Sequence, residues 1–545
     1  MKKTIRRIHE NWRSGLTVSL IGIPLSIALA IAAGATPTQG IITAIWAGLI
    51  GALLGGSRVN IIGPTGALTG VLISYTITHG YQALPLIALL SGLLILIASY
   101  LHLERYITFI PKSVVYGFTL GIALIIAFGQ LDNIFGLKDL PKTNNLFHNI
   151  IIALQHLPDF QWVIFGIFAV GLGFLLIWKK FIPKLPGAIV LTVCAITASY
   201  YFSSSNETIQ SLLTIGEKYP DFQSQIFVNA WRDFSHTMLF DKDLWIISFA
   251  TALISILETL LSGQIAAKMS KTPFDRSREM RSLGLANIGS GLLGGIPATA
   301  ALARTALNIK SGGNHQTSGV LNALFTLIIC VFAFTLFRWL PMVTVASILV
   351  MVAIGMVNKN YFTEFARNGR NAITLMLLVA AITFIIDPIS GILIGSFIAL
   401  LIFVEKNSTG QTEILLWNKG KMTEALMKRD FLDRSKIHSD LVVYKISGTL
   451  TYINMPAHLE AVKKIKDNEH VIISLRHAFY ADHDGVDYLR ELISILENQN
   501  KDVILCGINS EIKKWIQDET FYKERGRKKQ IFKRTSEAIY QLYKE

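Results

Sequence analysis

Charge and cysteine are both scarce in this 545-residue chain. Charged residues make up 16% of it, against about 25% in an ordinary soluble domain, and 51% of the residues are apolar. The three cysteines lie far apart at Cys194, Cys330 and Cys506, which excludes a disulfide framework and a thiolate metal cluster. Nucleotide loops and nucleophile motifs are missing as well, so we expect no enzyme activity and no cofactor. The composition indicates a polytopic membrane protein with a small soluble domain.

The net charge of +14 is concentrated in the apolar part of the chain. From Glu405 onward there are 24 basic and 21 acidic residues, whereas 27 basic and 16 acidic residues precede it. The predicted inner loops are basic, and the predicted outer loop at 203–244 has six acidic and three basic residues. The positive-inside rule explains this excess better than a nucleic-acid partner does. We expect a multi-pass plasma (inner) membrane protein with both termini in the cytoplasm.

Hydropathy predicts an all-α membrane domain at residues 15–404, after a cytoplasmic segment at 1–14. It has fourteen spans, of which spans 3 and 10 begin at the breaks Gly63-Pro64 and Gly294-Gly295-Ile296-Pro297. The other spans lie at roughly 16–33, 41–54, 84–103, 114–130, 162–178, 185–201, 245–267, 283–293, 318–339, 343–357, 372–386 and 389–404.

The two interrupted spans predict a binding site. They read VNIIGPTGALTG at 59–70 and GGIPATAALARTALNI at 294–309, and each is the third span of a seven-span half. Two halves with an odd number of spans insert in opposite orientations, so both half-helices direct their N-termini at one point. Free N–H groups and the positive dipole end make such a point suitable for an anion.

The chain after residue 404 changes to a soluble pattern. We expect a linker at 405–438 and a small cytoplasmic α/β domain at 439–545. Apolar runs predict strands at 441–447, 471–475 and 503–506, and helical periodicity predicts helices at 456–466, 485–497 and 536–543.

Three stretches resemble the sulfate permease (SulP) anion transporter family. They are IPLSIALAIAAGATP at 23–37, GLIGALLGGSRVNIIGPTGALTG at 48–70 and PATAALARTALN at 297–308, and the tail resembles the STAS domain of that family. The resemblance implies a core of spans 1–4 and 8–11, a gate of spans 5–7 and 12–14, and a homodimer. It also implies coupled, elevator-type transport of bicarbonate, sulfate or a dicarboxylate.

The chain departs from the family pattern at two places. Ala300, Ala301 and Ala303 replace the usual glycine and serines, which leaves backbone N–H groups as the contacts that this segment offers. In the tail, the turn 482–485 reads Asp-His-Asp-Gly, so the usual hydroxyl before the glycine is absent. Phosphorylation at that turn is therefore not expected.

The expected substrate contacts come from the first turns of both half-helices. Backbone N–H groups and one guanidinium would hold the anion, and the two threonines line the site or bond to their own backbone. These residues are Thr65, Ala67, Leu68, Thr69, Ala301, Leu302, Ala303 and Arg304.

Glu258 lies in the middle of span 8, where a carboxylate needs a function or a partner. We expect it to carry a coupling proton or to face a sodium ion, with Ser262 four residues later and Thr299 nearby. If sodium is the ion, Glu258 and Ser262 are its ligands, and we expect no other metal. The alternative is a structural ion pair between Glu258 and Arg304.

Two other functions remain open at this point. A nucleobase transporter on the same architecture would place an acid in span 10, where this chain has Arg304. An anion channel or exchanger with a signalling STAS domain is the other alternative, although a buried acid gives an anion pore no advantage.

Overall fold

The computed structural model contains two compact units, Met1–Ala399 and Leu400–Glu545. The residues that it describes are 2–105, 111–137, 140, 141, 143, 146–182, 187–202, 212–220, 227, 228, 236–357, 362–364, 367, 370–408, 411–418, 421–426, 441–463, 465 and 470–543.

The first unit is helical, and each of the fourteen predicted spans falls on a helix. Eight of the described helices are long and apolar enough to cross a membrane, so the count of fourteen remains a prediction. The helices are α1 (Lys2–Ala32), α2 (Pro37–Leu54), α3 (Gly66–His79), α4 (Leu84–Tyr100), α5 (Lys112–Phe128), α6 (Leu131–Phe135), α7 (Leu146–Gln155), α8 (Trp162–Phe181), α9 (Gly187–Phe202), α10 (Ile215–Lys218), α11 (Lys242–Ser270), α12 (Arg276–Leu292), α13 (Leu302–Lys310), α14 (Thr317–Ala333), α15 (Met342–Met356), α16 (Arg370–Ile385) and α17 (Pro388–Ser408).

The amino-terminal segment at 1–14 continues into the first span as one helix, and its cytoplasmic location stays a prediction. Helix α1 is continuous because nothing between Ser14 and Leu16 breaks it. A Cβ on Gly15 would lie 2.7 Å from Leu321 Cβ, so the glycine lets α1 approach α14 closely. Asn11 accepts a hydrogen bond from Asn314 N at 3.0 Å, which ties this segment to the loop after α13.

The helix packing of the first unit repeats between its two halves. Helix α1 packs on α14 and helix α4 packs on α11, which joins span 1 to span 11 and span 4 to span 8. Helix α2 packs on α14 as α12 packs on α4, and α5 packs on α16 as α15 packs on α8. When each span is replaced by the equivalent span of the other half, the first contact in each of these three pairs becomes the second. Two structural repeats require this correspondence.

The second unit is an α/β domain around a six-stranded sheet. The strand order is β4-β3-β5-β6-β7-β8, with β5 to β8 parallel and β3 antiparallel to both neighbours. Its elements are β3 (Gln411–Asn418), β4 (Lys421–Leu426), β5 (Leu441–Leu450), α18 (Met455–Val462), β6 (His470–Ala481), α19 (His483–Asn498), β7 (Asp502–Cys506), α20 (Ser510–Ile516), α21 (Thr520–Arg527), β8 (Ile531–Phe532) and α22 (Thr535–Leu542).

The predicted linker at 405–438 is wrong for part of its length. Residues 411–418 and 421–426 form a hairpin that adds β3 and β4 to the sheet, and Leu415 of β3 pairs with Val443 of β5. The two strands read QTEILLWN and KMTEAL, so neither alternates polar and apolar residues along its length, and β4 forms the edge of the sheet. Residues 427–440, which include the start of the predicted tail domain, lie outside the described residues.

The turn at 482–485, which differs from the family pattern, forms a well-capped start of a helix. Asp482 is the N-cap of α19, and its carboxylate accepts a hydrogen bond from Gly485 N at 2.7 Å. A Cβ on Gly485 would lie 2.0 Å from Leu450 O, so only glycine allows this turn to pack against β5.

Candidate functional site

The two interrupted segments meet in the first unit. Strand β1 (Ile62–Gly63) pairs antiparallel with strand β2 (Thr299–Ala300), with Ile62 opposite Ala300. Proline at 64 and 297 prevents a continuous helix, and the short ladder supplies the backbone hydrogen bonds that a membrane interior demands. The antiparallel pairing sends the two following helices away from one central point.

Both half-helices begin at that point and are too short to span a bilayer. Helix α3 has 14 residues and α13 has 9, against about 20 for a full span. Neither N-cap side chain, Thr65 or Ala301, accepts a hydrogen bond from its own helix. The first-turn N–H groups are therefore not capped from within the helix.

The first turns of the two helices differ in exposure. Ala67 and Leu68 of α3 are buried, whereas Leu302 and Ala303 of α13 are exposed. Ala301 was predicted as a substrate contact, but its N–H donates to Ile61 O at 3.1 Å. The backbone groups that α13 offers to an anion thus begin at Leu302.

Arg304 is buried, and no residue that the structure describes forms an ion pair with it. It is 4% exposed, and its Nε and Nη2 have no hydrogen-bond partner among the described residues. A Cβ on Gly63 would lie 2.8 Å from its Nη1, so the absence of a side chain at 63 lets the guanidinium reach the β1 backbone. A buried guanidinium of this kind is suited to bind a carboxylate or an oxyanion. Because the guanidinium is buried, the side chain does not snorkel, that is, it does not extend to place its charge in water.

Glu258 lies against the start of the other half-helix. Thr65 Oγ1 donates to Glu258 Oε2 at 3.1 Å, which connects α11 to the N-cap of α3. No described salt bridge joins Glu258 to Arg304, so the predicted alternative of a structural ion pair is not what the structure shows. The site therefore contains one carboxyl group and one guanidinium group, and the two groups have different neighbours.

Ser262 is not brought to Glu258, although both lie on one face of α11. Its hydroxyl donates to Asn60 Oδ1 at 2.7 Å, and Thr305 Oγ1 donates to the same oxygen at 3.0 Å. Asn60 Nδ2 donates to Glu279 Oε1 at 2.7 Å. Ser262 thus belongs to a polar network that joins the two halves.

Thr299 and Thr69 use their hydroxyl groups structurally. Thr299 Oγ1 donates to Ser255 O at 3.0 Å and lies 2.8 Å from Thr259 Oγ1, which accepts from Ala300 N. Thr69 Oγ1 donates to Gly66 O at 2.6 Å. Of the two predicted threonines on α3 and its cap, only Thr65 directs its hydroxyl at another site residue.

The sequence interpretation missed the residues that hold the site together. Glu279 was counted only as one charge of a basic inner loop, but it is 1% exposed. Its Oε2 accepts from Gly56 N and Ser57 N at 2.7 and 2.8 Å. Two successive backbone N–H groups in a glycine-rich turn form an anion-binding concavity, and the turn 55–57 was the available signal.

A cavity of about 140 Å³ lies beside α3 and is lined by none of the residues of this network. It is lined by α3, α5 and α16, and Thr69 is its lining residue nearest the start of α3. Its polar lining includes Ser74, Gln130 and Thr383. The cavity approaches the half-helix start from the side of the predicted gate.

The fold and site define a membrane protein with two half-helices that begin at one point and a buried arginine on one of them. The pattern of the Sulfate permease family matches residues 9–381, and that of the STAS domain matches residues 434–538. The chain therefore belongs to the sulfate permease family and carries a carboxy-terminal STAS domain, which makes it an anion transporter of this family.

Relatives of known name agree with this assignment. The protein YvdB of Bacillus subtilis, provisionally named a sulfate transporter, is 29% identical over 94% of both chains. The bicarbonate transporter BicA of Picosynechococcus is 26% identical over 75% of this chain and 72% of its own.

Solved structures support the fold alone. Murine Slc26a9, an anion transporter in the inward-facing state, superposes with a TM-score of 0.81 at 15% identity and covers 99% of this chain and 92% of its own. The transmembrane domain of a cyanobacterial BicA gives a TM-score of 0.61 at 23% identity, over 71% of this chain and 97% of its own.

Proposed function

We propose that the protein is a secondary active transporter. It binds a small anion between the starts of the half-helices α3 and α13 and carries that anion across the membrane. Sulfate and bicarbonate, which related proteins are named for, are the first candidates, and a dicarboxylate is the next. The observation that carries the proposal is Arg304, a buried guanidinium with no partner for Nε and Nη2 among the described residues. An anion would supply the missing negative charge and the missing acceptors.

The anion would be held by three sets of donors. The first-turn N–H groups of α13 from Leu302 onward and those of α3 contribute partial positive charge from opposite sides. Arg304 contributes a full charge at the third position of α13. Because two helix dipoles and one cation converge, the site favours a small anion over a neutral base such as a nucleobase.

Glu258 is our candidate for the coupling group. Its contact with Thr65 places it at the entrance of α3, so its charge acts directly on an anion there. Ionised Glu258 repels the anion, and protonated Glu258 does not, which makes anion binding and proton binding favour each other. Because Ser262 bonds to Asn60 rather than facing Glu258, the arrangement supports a proton more than a sodium ion.

Transport would proceed by movement of a core past a gate. The packing of spans 1–4 and 8–11 on one another, and of spans 5, 6, 12 and 13 on one another, supports this division. The cavity beside Thr69 lies between α3 and helices of the gate, where such movement would open a path. A homodimer in the plasma membrane, with both termini cytoplasmic and no bound cofactor, completes the proposal.

Uptake of radiolabelled sulfate and bicarbonate into proteoliposomes tests the proposal, with pH and sodium gradients imposed separately. We expect a pH gradient to drive accumulation in the parent. Glu258→Gln mimics the protonated carboxyl, so it should keep exchange of labelled for unlabelled anion and lose gradient-driven accumulation.

Glu279→Gln is the matched control, because that carboxylate accepts three hydrogen bonds from the chain. It should lower thermal stability and reduce exchange and accumulation together. If Glu258→Gln accumulates anion against its gradient as the parent does, the coupling group lies elsewhere.

A further inference from the structure

One buried face of α11 carries a continuous row of polar side chains. Counted along the helix, they recur at alternating steps of three and four residues, which places them on one side. Each of the four hydroxyl-bearing members is at most 2% exposed. The row consists of Ser248, Thr251, Ser255, Glu258 and Ser262.

Three of these hydroxyl groups have no hydrogen-bond partner among the described residues, namely those of Ser248, Thr251 and Ser255. Several other buried hydroxyls in helices of this unit are satisfied by their own backbone, and the remaining ones without a partner among the described residues, Ser26, Thr383 and Ser396, each stand alone on their helix. Ser91 Oγ donates to Ala88 O at 3.0 Å, and Thr326 Oγ1 donates to Asn322 O at 2.8 Å. Buried hydroxyls are normally paired, so three consecutive exceptions on one face point to a shared polar ligand.

The row extends from the coupling carboxylate toward a cluster of ionisable side chains at the amino-terminal end of α11. Asp241 caps that end, seven residues before Ser248, or about 10 Å along the axis. Its Oδ2 accepts a hydrogen bond from Tyr75 at 3.4 Å and lies 3.7 Å from His79 Nε2. The ligand atoms of His79, Asp241 and Asp243 lie within 4.8 Å of one another. One imidazole and two carboxylates thus lie together at this end of the helix.

We propose that the Ser248–Thr251–Ser255 face is hydrated and delivers the coupling proton from the Asp241 end of α11 to Glu258. The proposal rests on the function proposed above for Glu258. Water is the ligand that fits, because each hydroxyl both donates and accepts and a buried water typically makes about three hydrogen bonds.

The transfer balances along the chain of waters. A proton from the Asp241 end joins the first water, each water passes one proton on, and the last one protonates the Glu258 carboxylate. No bond other than O–H bonds forms or breaks, and the waters end as they began. The first hydroxyl, Ser248, lies about 15 Å along the axis from Glu258, a length that three hydroxyls and intervening waters can bridge, and waters alone bridge the further distance of about 10 Å to Asp241.

Hydration is tested by thiol accessibility in proteoliposomes. In a chain with Cys194, Cys330 and Cys506 changed to serine, Thr251→Cys should react with added Ag⁺ at least about tenfold faster than Ser91→Cys, because access controls the rate. Ser91 is the matched control, since its equally buried hydroxyl is bonded to its own helix. Equal, slow reaction of the two thiols would show that the face is dry and would overturn the proposal.

Proton delivery is tested with the double variant Thr251→Val and Ser255→Ala. Pyranine inside the vesicles reports proton movement while labelled sulfate or bicarbonate reports uptake. Slower proton-driven uptake with unchanged anion exchange supports a proton path, whereas unchanged uptake, or equal loss of both, assigns the face to packing. Accumulation that survives in Glu258→Gln would instead refute the proposed function, and the Ag⁺ result distinguishes the two failures.

Discussion

Replacing Arg304 should change stability and binding in opposite directions. In the anion-free protein this side chain is a buried charge whose Nε and Nη2 have no partner among the described residues. An unsatisfied buried polar group costs about 1–3 kcal/mol, and more when it is charged. Arg304→Met keeps much of the side-chain length and removes that cost, so the anion-free variant should unfold at a Tm higher by roughly 2 °C or more.

Anion affinity should fall in the same variant. A hydrogen bond to a charged group contributes about 1.5–3 kcal/mol, which corresponds to roughly a 10- to 100-fold weaker Kd. Arg304→Lys restores a point charge without the planar fork, so it should recover part of the affinity.

Thermal unfolding of the purified protein measures both effects, with sulfate and bicarbonate titrated in a buffer of large organic anions. The rise of Tm with anion concentration reports binding. Arg58→Gln, at an exposed position of the same unit, is the control and should change neither quantity. A lower anion-free Tm for Arg304→Met together with parental affinity would show that the arginine is structural and that the anion binds elsewhere.

Two further predictions follow from single contacts. Gly63→Ala places a Cβ 2.8 Å from Arg304 Nη1, which should displace the guanidinium and weaken anion binding about tenfold, since overpacking costs about 1–3 kcal/mol. Gly173→Ala meets nothing within 4 Å and should bind as the parent does, so equal binding by both alanine variants would contradict the packing argument. In the tail, burial lowers the pKa of His458 from 6.5 to about 4. The folded domain therefore excludes a proton that the unfolded chain binds. Its free energy of unfolding should be highest above pH 6.5 and should fall as the pH drops from there toward 4, by about 2 kcal/mol between pH 7 and pH 5. Urea unfolding of residues 411–545 at the two pH values measures this, and a His458→Gln variant with the same pH dependence would assign the effect to other groups.

Positions of the helices were predictable because each depends on nearby residues. Runs of apolar residues mark the spans, and Pro64 and Pro297 mark the two interruptions without any knowledge of tertiary contacts. The hairpin at 411–426 was missed for the converse reason. Strand β3 is held by pairing with β5 and β4 by pairing with β3, and an edge strand of mixed polarity such as β4 carries little local signal.

The sequence by itself determined that two half-helices exist, that α13 carries one arginine in its first turn and that span 8 carries one acid. Only the tertiary structure decided which groups these residues contact. Thr65 reaches Glu258 across 193 residues, and Ser262 bonds to Asn60 across 202 residues rather than to the acid one turn before it. Helical spacing places two side chains on the same face, but the partner of each is chosen by the element that packs against that face. Arg304 has no counter-charge among the described residues for the same reason, since the segment that approaches its guanidinium is the β1 backbone at Gly63.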